Sequence, residues 1–403
     1  MEEEKTSSDK GLRKFILSQI EKGGPIPFCQ FMEWCLYHPI YGYYRVGRKT
    51  IGKNGDYYTS SCVHPLFGGL IAKQLSQMSD EMGGSAFEVV ESGGGRGFLC
   101  EDILLWAKKN YPIFYQRLQY HLIETAPPFL QEQKERLRKY EREGKVFWID
   151  QEVFEKGKIQ IEGCFLSNEL LDALPVHQVV LDHGNLKEIY LTHEHLQLKE
   201  QMGGLSDSRI RSYFKSMEIT LQEGQRAEVN LNALDWLEKV ATCLKRGFVL
   251  TIDYGYLAKE LYAPYRKEGT LLCYAQHRTS HNPYERLGEQ DMTSHVNFTS
   301  LILRGEELGL RFLGLVPQYQ FLIALGILQE MEWLAMGMSE RDALRLRLSL
   351  KHLIEPEMGM GEVFKVLIQH KGMEHPQLDG LRDFSKTEAP AIRGGLGRGA
   401  SDL

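Results

Sequence analysis

Ala86-Phe87-Glu88-Val89-Val90-Glu91-Ser92-Gly93-Gly94-Gly95-Arg96-Gly97-Phe98-Leu99 decides how this chain is read. Phe87, Val89 and Val90 predict a short buried strand, the four glycines a tight turn, and residues 98–109 a helix. A strand, a glycine elbow and a helix start let a ligand approach bare backbone near unpaired N–H groups at the positive helix end. A turn between packed elements would use glycine in the same way.

The spacing and charge of the elbow narrow the ligand. Gly93, Gly95 and Gly97 give G-x-G-x-G, whereas a dinucleotide fingerprint would place its last glycine where Phe98 stands. Arg96-Gly97-Phe98 also lacks the Gly-Lys-Ser/Thr ending of a phosphate loop. Glu91 just before the turn would repel a pyrophosphate but could accept a hydrogen bond from an amino group. S-adenosylmethionine, with its cationic amino-acid end, suits such a site.

Strands and helices alternate outward from this elbow, which predicts an α/β fold with a mostly parallel sheet. Strands are expected at 119–123, 145–149, 164–167 and 248–252, and their carboxyl ends carry Glu124, Asp150-Gln151, Asn168-Glu169 and Asp253. Ligands sit at that edge of open α/β sheets. Helices are expected at 9–22, 28–37, 65–78, 227–244 and 298–308, with later strands at 311–316 and 363–368. Residues 177–200 read as antiparallel strands around an Asp182-His183-Gly184-Asn185 turn. Residues 255–300, rich in Gly, Pro, Tyr and His, read as active-site loops. The division expected is an N-terminal helical cap and loop at 1–85, a core at 86–370 with an insertion at about 177–225, and a disordered tail at 371–403.

Bulk composition sets the outer limits. A chain of 403 residues with 42% hydrophobic and 25% charged residues can bury a full core, so neither wholesale disorder nor a membrane protein is indicated. The net charge of -6 argues against a general nucleic-acid binder, and no apolar run is long enough to span a membrane. Cys29, Cys35, Cys62, Cys100, Cys164, Cys243 and Cys273 are an odd, scattered set that reads as reduced thiols. The acidic, polar N-terminus predicts neither signal nor transit peptide. Together these place the protein in the cytoplasm. His193 and His195 flank Glu194 with no third ligand in view, so no metal is expected.

With these pieces placed, the chain resembles the MidA family of S-adenosylmethionine-dependent methyltransferases, which includes a mitochondrial complex I assembly factor acting as a protein-arginine methyltransferase. The resemblance rests on Gly24-Pro25-Ile26-Pro27-Phe28, Leu36-Tyr37-His38-Pro39, Gly42-Tyr43-Tyr44, Gly55-Asp56-Tyr57-Tyr58-Thr59-Ser60 and Leu66-Phe67-Gly68. It continues through the elbow to Ser167-Asn168-Glu169-Leu170-Leu171-Asp172-Ala173-Leu174-Pro175-Val176, Asp253-Tyr254-Gly255, the segment Asp291 to Phe298, and Met360-Gly361-Glu362-Val363-Phe364. It implies a Rossmann-like class I methyltransferase sheet, S-adenosyl-L-methionine as cofactor, and a protein arginine as acceptor, on a respiratory-complex subunit or its bacterial equivalent. There are two departures: Ser61-Cys62-Val63-His64 stands where the family has Pro-Glu-Ile-Ser, and Ser92 and Gly94 replace Leu and Pro.

Methyl transfer from a sulfonium asks a protein mainly to hold nucleophile, methyl and leaving sulfur in line. Glu91, Gly93, Gly95 and Gly97 are assigned to the methionine end, Glu124 to the ribose hydroxyls, Asp150 and Gln151 to the adenine, and Asn168 to the edge beside the methyl. Glu169 and Asp172 would share a face at i and i+3 if a helical turn starts there, and are assigned to the cationic acceptor. The same residues could merely cap and support a helix. Asp291 and His295 are further candidates for the acceptor side. Tyr41 to Tyr44 and Tyr57-Tyr58 would close over the ligands or simply pack. Two other functions stay open: a nicotinamide-dependent oxidoreductase, against which Phe98 speaks, and a non-catalytic assembly protein, for which the missing carboxylate at Cys62 speaks.

Overall fold

The structure, a computed structural model, describes residues 8–46, 64–276, 278–355 and 361–382. Cys62 and Tyr57-Tyr58 lie outside the described residues. Sixteen strands are found among them. In chain order they are β1 (Ile26–Pro27), β2 (Phe87–Ser92), β3 (Leu118–Ile123), β4 (Val146–Trp148), β5 (Ile161–Asn168), β6 (His177–Asp182), β7 (Asn185–Glu194) and β8 (Gln197–Gly203). Then follow β9 (Arg226–Val229), β10 (Leu244–Tyr256), β11 (Leu272–Ala275), β12 (Arg278–Ser280), β13 (Asp291–Thr293), β14 (Val296–Asn297), β15 (Arg311–Pro317) and β16 (Phe364–Lys371).

The fold is α/β with a mixed central sheet in the order β15-β16-β10-β5-β2-β3-β4, and β14 added beside the end of β10. Neighbours from β4 to β10 are parallel, and β16 runs antiparallel to both β10 and β15. Both faces are covered, which explains why these strands read as unbroken apolar runs. Val89, Leu122, Leu166, Leu250 and Val366 face one core, with the helices Leu66–Glu81 and Phe98–Asn110. Val90, Ile123, Phe165, Val249 and Leu367 face the other, with Leu231–Cys243 and Phe298–Glu307. The sheet order reverses beside β2, whose neighbours are β3 and β5. Ligands in open α/β sheets bind at such a switch point, outside the carboxyl ends.

A second, antiparallel sheet has the order β1-β7-β6-β9, with β8 on β7. Through β1 it takes in the segment between the helices Ser8–Gly23 and Phe28–Tyr37, with Ile26 opposite Leu191. The chain after β1 is also fixed to the loops that follow β5 and β3: Tyr37 donates to the Ala173 carbonyl at 3.0 Å, and Arg45 donates to the Thr125 carbonyl. Tyr37 and Arg45 therefore sit at the carboxyl edge of the central sheet.

Several expectations change. Residues 226–229, inside the helix expected over 227–244, form β9, whose pairing to β6 buries Ala227 and Val229. The stretch 255–300 contains a three-stranded sheet, β12-β11-β13, not loops alone. Residues 372–382, assigned by composition to a disordered tail from 371, pack on the molecule: the Gly380 amide donates to Gln74 at 3.0 Å and Leu378 is buried. Polar composition concealed them because their backbone is satisfied by buried side chains.

Candidate active site

The glycine elbow is held in shape from several directions. Gly93, Gly95 and Gly97 have φ of +70°, +51° and +79°. The positive φ at Gly93 favours glycine, and a Cβ there would also lie 2.7 Å from the tip of the Leu170 side chain, which would have to turn aside. Gly97 is the N-terminal boundary of the Phe98–Asn110 helix. Gln133, fully buried, donates to the Gly95 carbonyl at 2.7 Å and accepts from Trp148 Nε1 at 3.0 Å. Arg136 donates to the Arg96 carbonyl at 3.0 Å and lies over the Phe98 ring. The helix Pro127–Arg136 thus braces the turn from behind.

Beside the elbow is a cavity of about 710 Å³. Its wall includes Glu91, Gly93, Gly95, Glu124, Gln151, Asn168 and Glu169, so seven of the ten residues assigned from sequence meet there. Gly97, Asp150 and Asp172 do not line it. Asp150 caps the short helix Gln151–Glu155, accepting from the Glu152 amide at 2.8 Å. That corrects its assignment to adenine and leaves Gln151 facing the cavity.

Asp172 is the larger correction. No helical turn starts at Asn168. Glu169 instead takes φ +52°, a strained value for a non-glycine residue, while its amide donates to the Ile252 carbonyl at 2.9 Å. Asp253 accepts from the Leu171 amide at 2.9 Å, and the buried Asn230 side chain donates to the Leu171 carbonyl at 2.8 Å. These bonds turn the chain inward, so Asp172 faces Tyr254 while Glu169 faces the cavity. Burial raises the Asp172 and Asp253 carboxyls above the usual range, and the Asp172 charge adds to the rise at Asp253. Asp291 and His295 also lie away from the cavity wall. Tyr44 donates to Asp291 at 2.8 Å, and burial first, then Arg266, lowers His295 to about 4.

Two acids of the cavity titrate unusually. Glu91 is buried, which raises it to about 7; Tyr120, donating to it at 2.8 Å, works against the rise, and the Glu124 charge adds to it. Burial likewise raises Glu124 to about 7, against the amides of Ala126, Thr125 and Gly95 and the charge of Arg45. Glu124 therefore ties the end of β3 to the elbow as well as facing the cavity. Tyr120→Phe is expected to cost about 1–2 kcal/mol of stability, since it strips a buried carboxyl of a donor. Denaturant unfolding checks the cost; an unchanged midpoint would show the bond to be idle.

Sequence reasoning missed much of the wall. Glu33, Tyr37 and Arg45 come from the N-terminal segment, Phe129 from the helix after β3, and Trp236 from Leu231–Cys243, while Tyr44, one of the aromatics expected to close over the ligands or pack, lines the wall as well. The fit to a molecule with an adenosine and an amino-acid end can be tested on unmatched polar atoms. Buried Ser92 Oγ and Asn168 Oδ1 have lone pairs without a donor, and buried Arg45 Nε and Trp236 Nε1 have no acceptor. All four residues line the cavity, as do the two buried acids and the aromatic ring of Phe129. A ligand offering an amino group, hydroxyls and a carboxylate matches that set.

Comparison with known proteins agrees with this geometry. The sequence profile of Methyltransf_28, a family described as S-adenosyl-L-methionine-dependent methyltransferases, matches residues 70–316. The chain is 28% identical to "Protein arginine methyltransferase NDUFAF7, mitochondrial" of Danio rerio, covering 89% of this chain and 87% of the relative. It is 27% identical to the Drosophila melanogaster homolog, covering 93% and 88%. A COG1565 superfamily member from Burkholderia thailandensis, solved bound to S-adenosyl-homocysteine, superposes with a TM-score of 0.82 at 27% identity, covering 93% of this chain and 95% of that one. The animal relatives are named mitochondrial, which overturns the cytoplasmic placement. Reduced cysteines and ordinary composition do not separate the cytosol from an organelle interior.

Proposed function

Because the chain belongs to this family of S-adenosyl-L-methionine-dependent methyltransferases, we propose that it transfers the methyl group to an arginine side chain of a protein. The observation that carries this reading is Glu169, held at a positive φ at the end of β5 with its side chain on the cavity wall. We further propose a mitochondrial setting and a respiratory-complex subunit as acceptor, following the named relatives and the family resemblance. The sheet is read as a Rossmann-like class I methyltransferase core at 86–370, with 1–85 as its N-terminal cap and about 177–225 as its insertion.

When bound, S-adenosyl-L-methionine supplies a methyl group already activated on a sulfonium. Glu91 and Ser92 would take its amino group, Glu124 its ribose hydroxyls and Gln151 its adenine, with Gly93 and Gly95 admitting it to the backbone. An arginine acceptor is cationic and would be repelled by the sulfonium. The Glu169 carboxylate offsets that repulsion and orients the guanidinium through paired hydrogen bonds, leaving one nitrogen aimed along the transfer line. The side-chain amide of Asn168 donates to Glu169 at 3.3 Å and holds it. Radiolabelled methyl transfer from the donor to mitochondrial proteins tests the reading; label recovered in a residue other than arginine would refute the acceptor.

Donor affinity should follow the acids. Ribose hydroxyls and an amino group are held more strongly by ionised carboxylates, so binding favours the deprotonated forms of Glu124 and Glu91. Affinity for S-adenosylhomocysteine should rise as pH climbs towards about 7, where both groups titrate, and level off above it. Glu124→Gln should lower the slope below pH 7 by one proton. An identical slope in that variant, followed by calorimetry, would count against Glu124.

A further inference from the structure

A second cluster of chemically capable side chains, sharing only Asn232 with the cavity wall, lies where the N-terminal segment meets the antiparallel sheet. Cys29 is the second residue of the helix Phe28–Tyr37, whose N-terminal boundary residue Pro27 offers no side-chain cap. His177 begins β6 and lies beside Cys29, whose sulfur raises the imidazole's proton affinity. Its Nδ1 lies 2.7 Å from Oε1 of Glu188 on β7, and that carboxylate is completely buried. Ser206 donates to the same Glu188 oxygen at 2.9 Å and, from its amide, to Oε2 at 2.6 Å. Asn232 Nδ2 lies 3.6 Å from the sulfur and donates to the Pro175 carbonyl at 2.7 Å.

This sets a nucleophile beside a cationic imidazolium that a buried carboxylate orients. We propose that Cys29 is a nucleophilic thiol, served by His177 and Glu188, that takes a small disulfide of the glutathione class to form a mixed disulfide. Three features support it beyond the hydrogen bonds. Cys29 is partly exposed, whereas Cys35, Cys100, Cys164, Cys243 and Cys273 are buried. Ser206, at the outer side of the cluster, is exposed and leaves an approach from solvent. The positive end of the Phe28–Tyr37 helix favours negative charge at its first turn. His177 is suited to stay protonated beside a thiolate: burial would lower its proton affinity, but Cys29 and Glu188 outweigh this and raise it to about 9.

The exchange balances without another reactant. Cys29 loses its proton to solvent, leaving a thiolate beside the His177 imidazolium, and that sulfur attacks one sulfur of the disulfide. A new S–S bond forms as the old one breaks, and its electron pair leaves with the second sulfur, which then takes up a proton as free thiol. Cys29 is oxidised to the disulfide level and one sulfur of the reagent is reduced. The site is independent of the acceptor proposed above, so failure of either leaves the other standing.

The full-length chain is mixed with oxidised glutathione at neutral pH, and the rate of adduct formation at each cysteine is read by mass spectrometry. The folded protein should form the adduct at Cys29 on the order of tenfold faster than the same cysteine in the urea-unfolded chain. An equal or slower rate in the folded protein overturns the proposal, and requires no variant to fold. His177→Gln, if folded, should lose that acceleration while labelling of unfolded protein is unchanged. Retained acceleration in that variant would also overturn it.

Discussion

Glu169→Gln is expected to bind S-adenosylhomocysteine within about twofold of the unmodified enzyme and to transfer methyl groups on the order of a hundredfold more slowly. The amide keeps the size and one acceptor, so the cavity wall and its positive φ persist. What disappears is the negative charge needed to bring a guanidinium beside a sulfonium. Losing one positioned charge interaction in a water-poor site usually costs about 3–4 kcal/mol of transition-state stabilisation, enough for two to three powers of ten. Calorimetry gives the first quantity and single-turnover labelling the second. Unchanged turnover would remove Glu169 from the acceptor site. Asp172→Asn then serves as contrast: Asp172 lies behind the wall, bonded to Tyr254, so its replacement should act through stability before it acts through the acceptor.

Glu124→Ala should have the largest effect on the donor. The carboxylate receives the amides of Gly95, Thr125 and Ala126 at 3.1, 2.8 and 2.8 Å. Alanine releases all three and removes the proposed ribose acceptor together. A charge-assisted hydrogen bond is worth about 1.5–3 kcal/mol, so losing two donor contacts predicts S-adenosylhomocysteine binding weakened by at least on the order of a hundredfold. Glu124→Gln should fall between, because its oxygen can still receive one of the amides. Calorimetric affinities within about threefold for parent and alanine variants would detach Glu124 from the donor site.

The central architecture was legible because it is local. Val89 and Val90 face opposite cores and a run of glycine begins at Gly93; Leu122 and Ile123 in β3, and Phe165 and Leu166 in β5, repeat the alternation without the glycines. The polar residues ending those strands converge because parallel strands place equivalent ends on one edge. The Asn168–Asp172 turn was misread because Asn and Glu before two leucines is also how a helix begins. The outcome was decided by Asp253 and Asn230, which capture the Leu171 amide and carbonyl from far along the chain. Arg45, Phe129 and Trp236 gave no local signal at all. They reach the cavity only because separate helices and the segment after Tyr37 cross the same edge. Cys29 was equally silent, since its partners are 148 and more residues away and on different strands.

The antiparallel strand β16 lies between β10 and β15. Its position has a consequence in time. During synthesis β10 emerges about a hundred residues before the strand that will cover its free edge. At typical ribosomal speeds of about 5–20 residues per second, that edge waits on the order of ten seconds with its amides and carbonyls open to any passing strand. A nascent chain of this protein is thus most vulnerable to mispairing late in its production, after the ligand-facing half of its sheet has already been made.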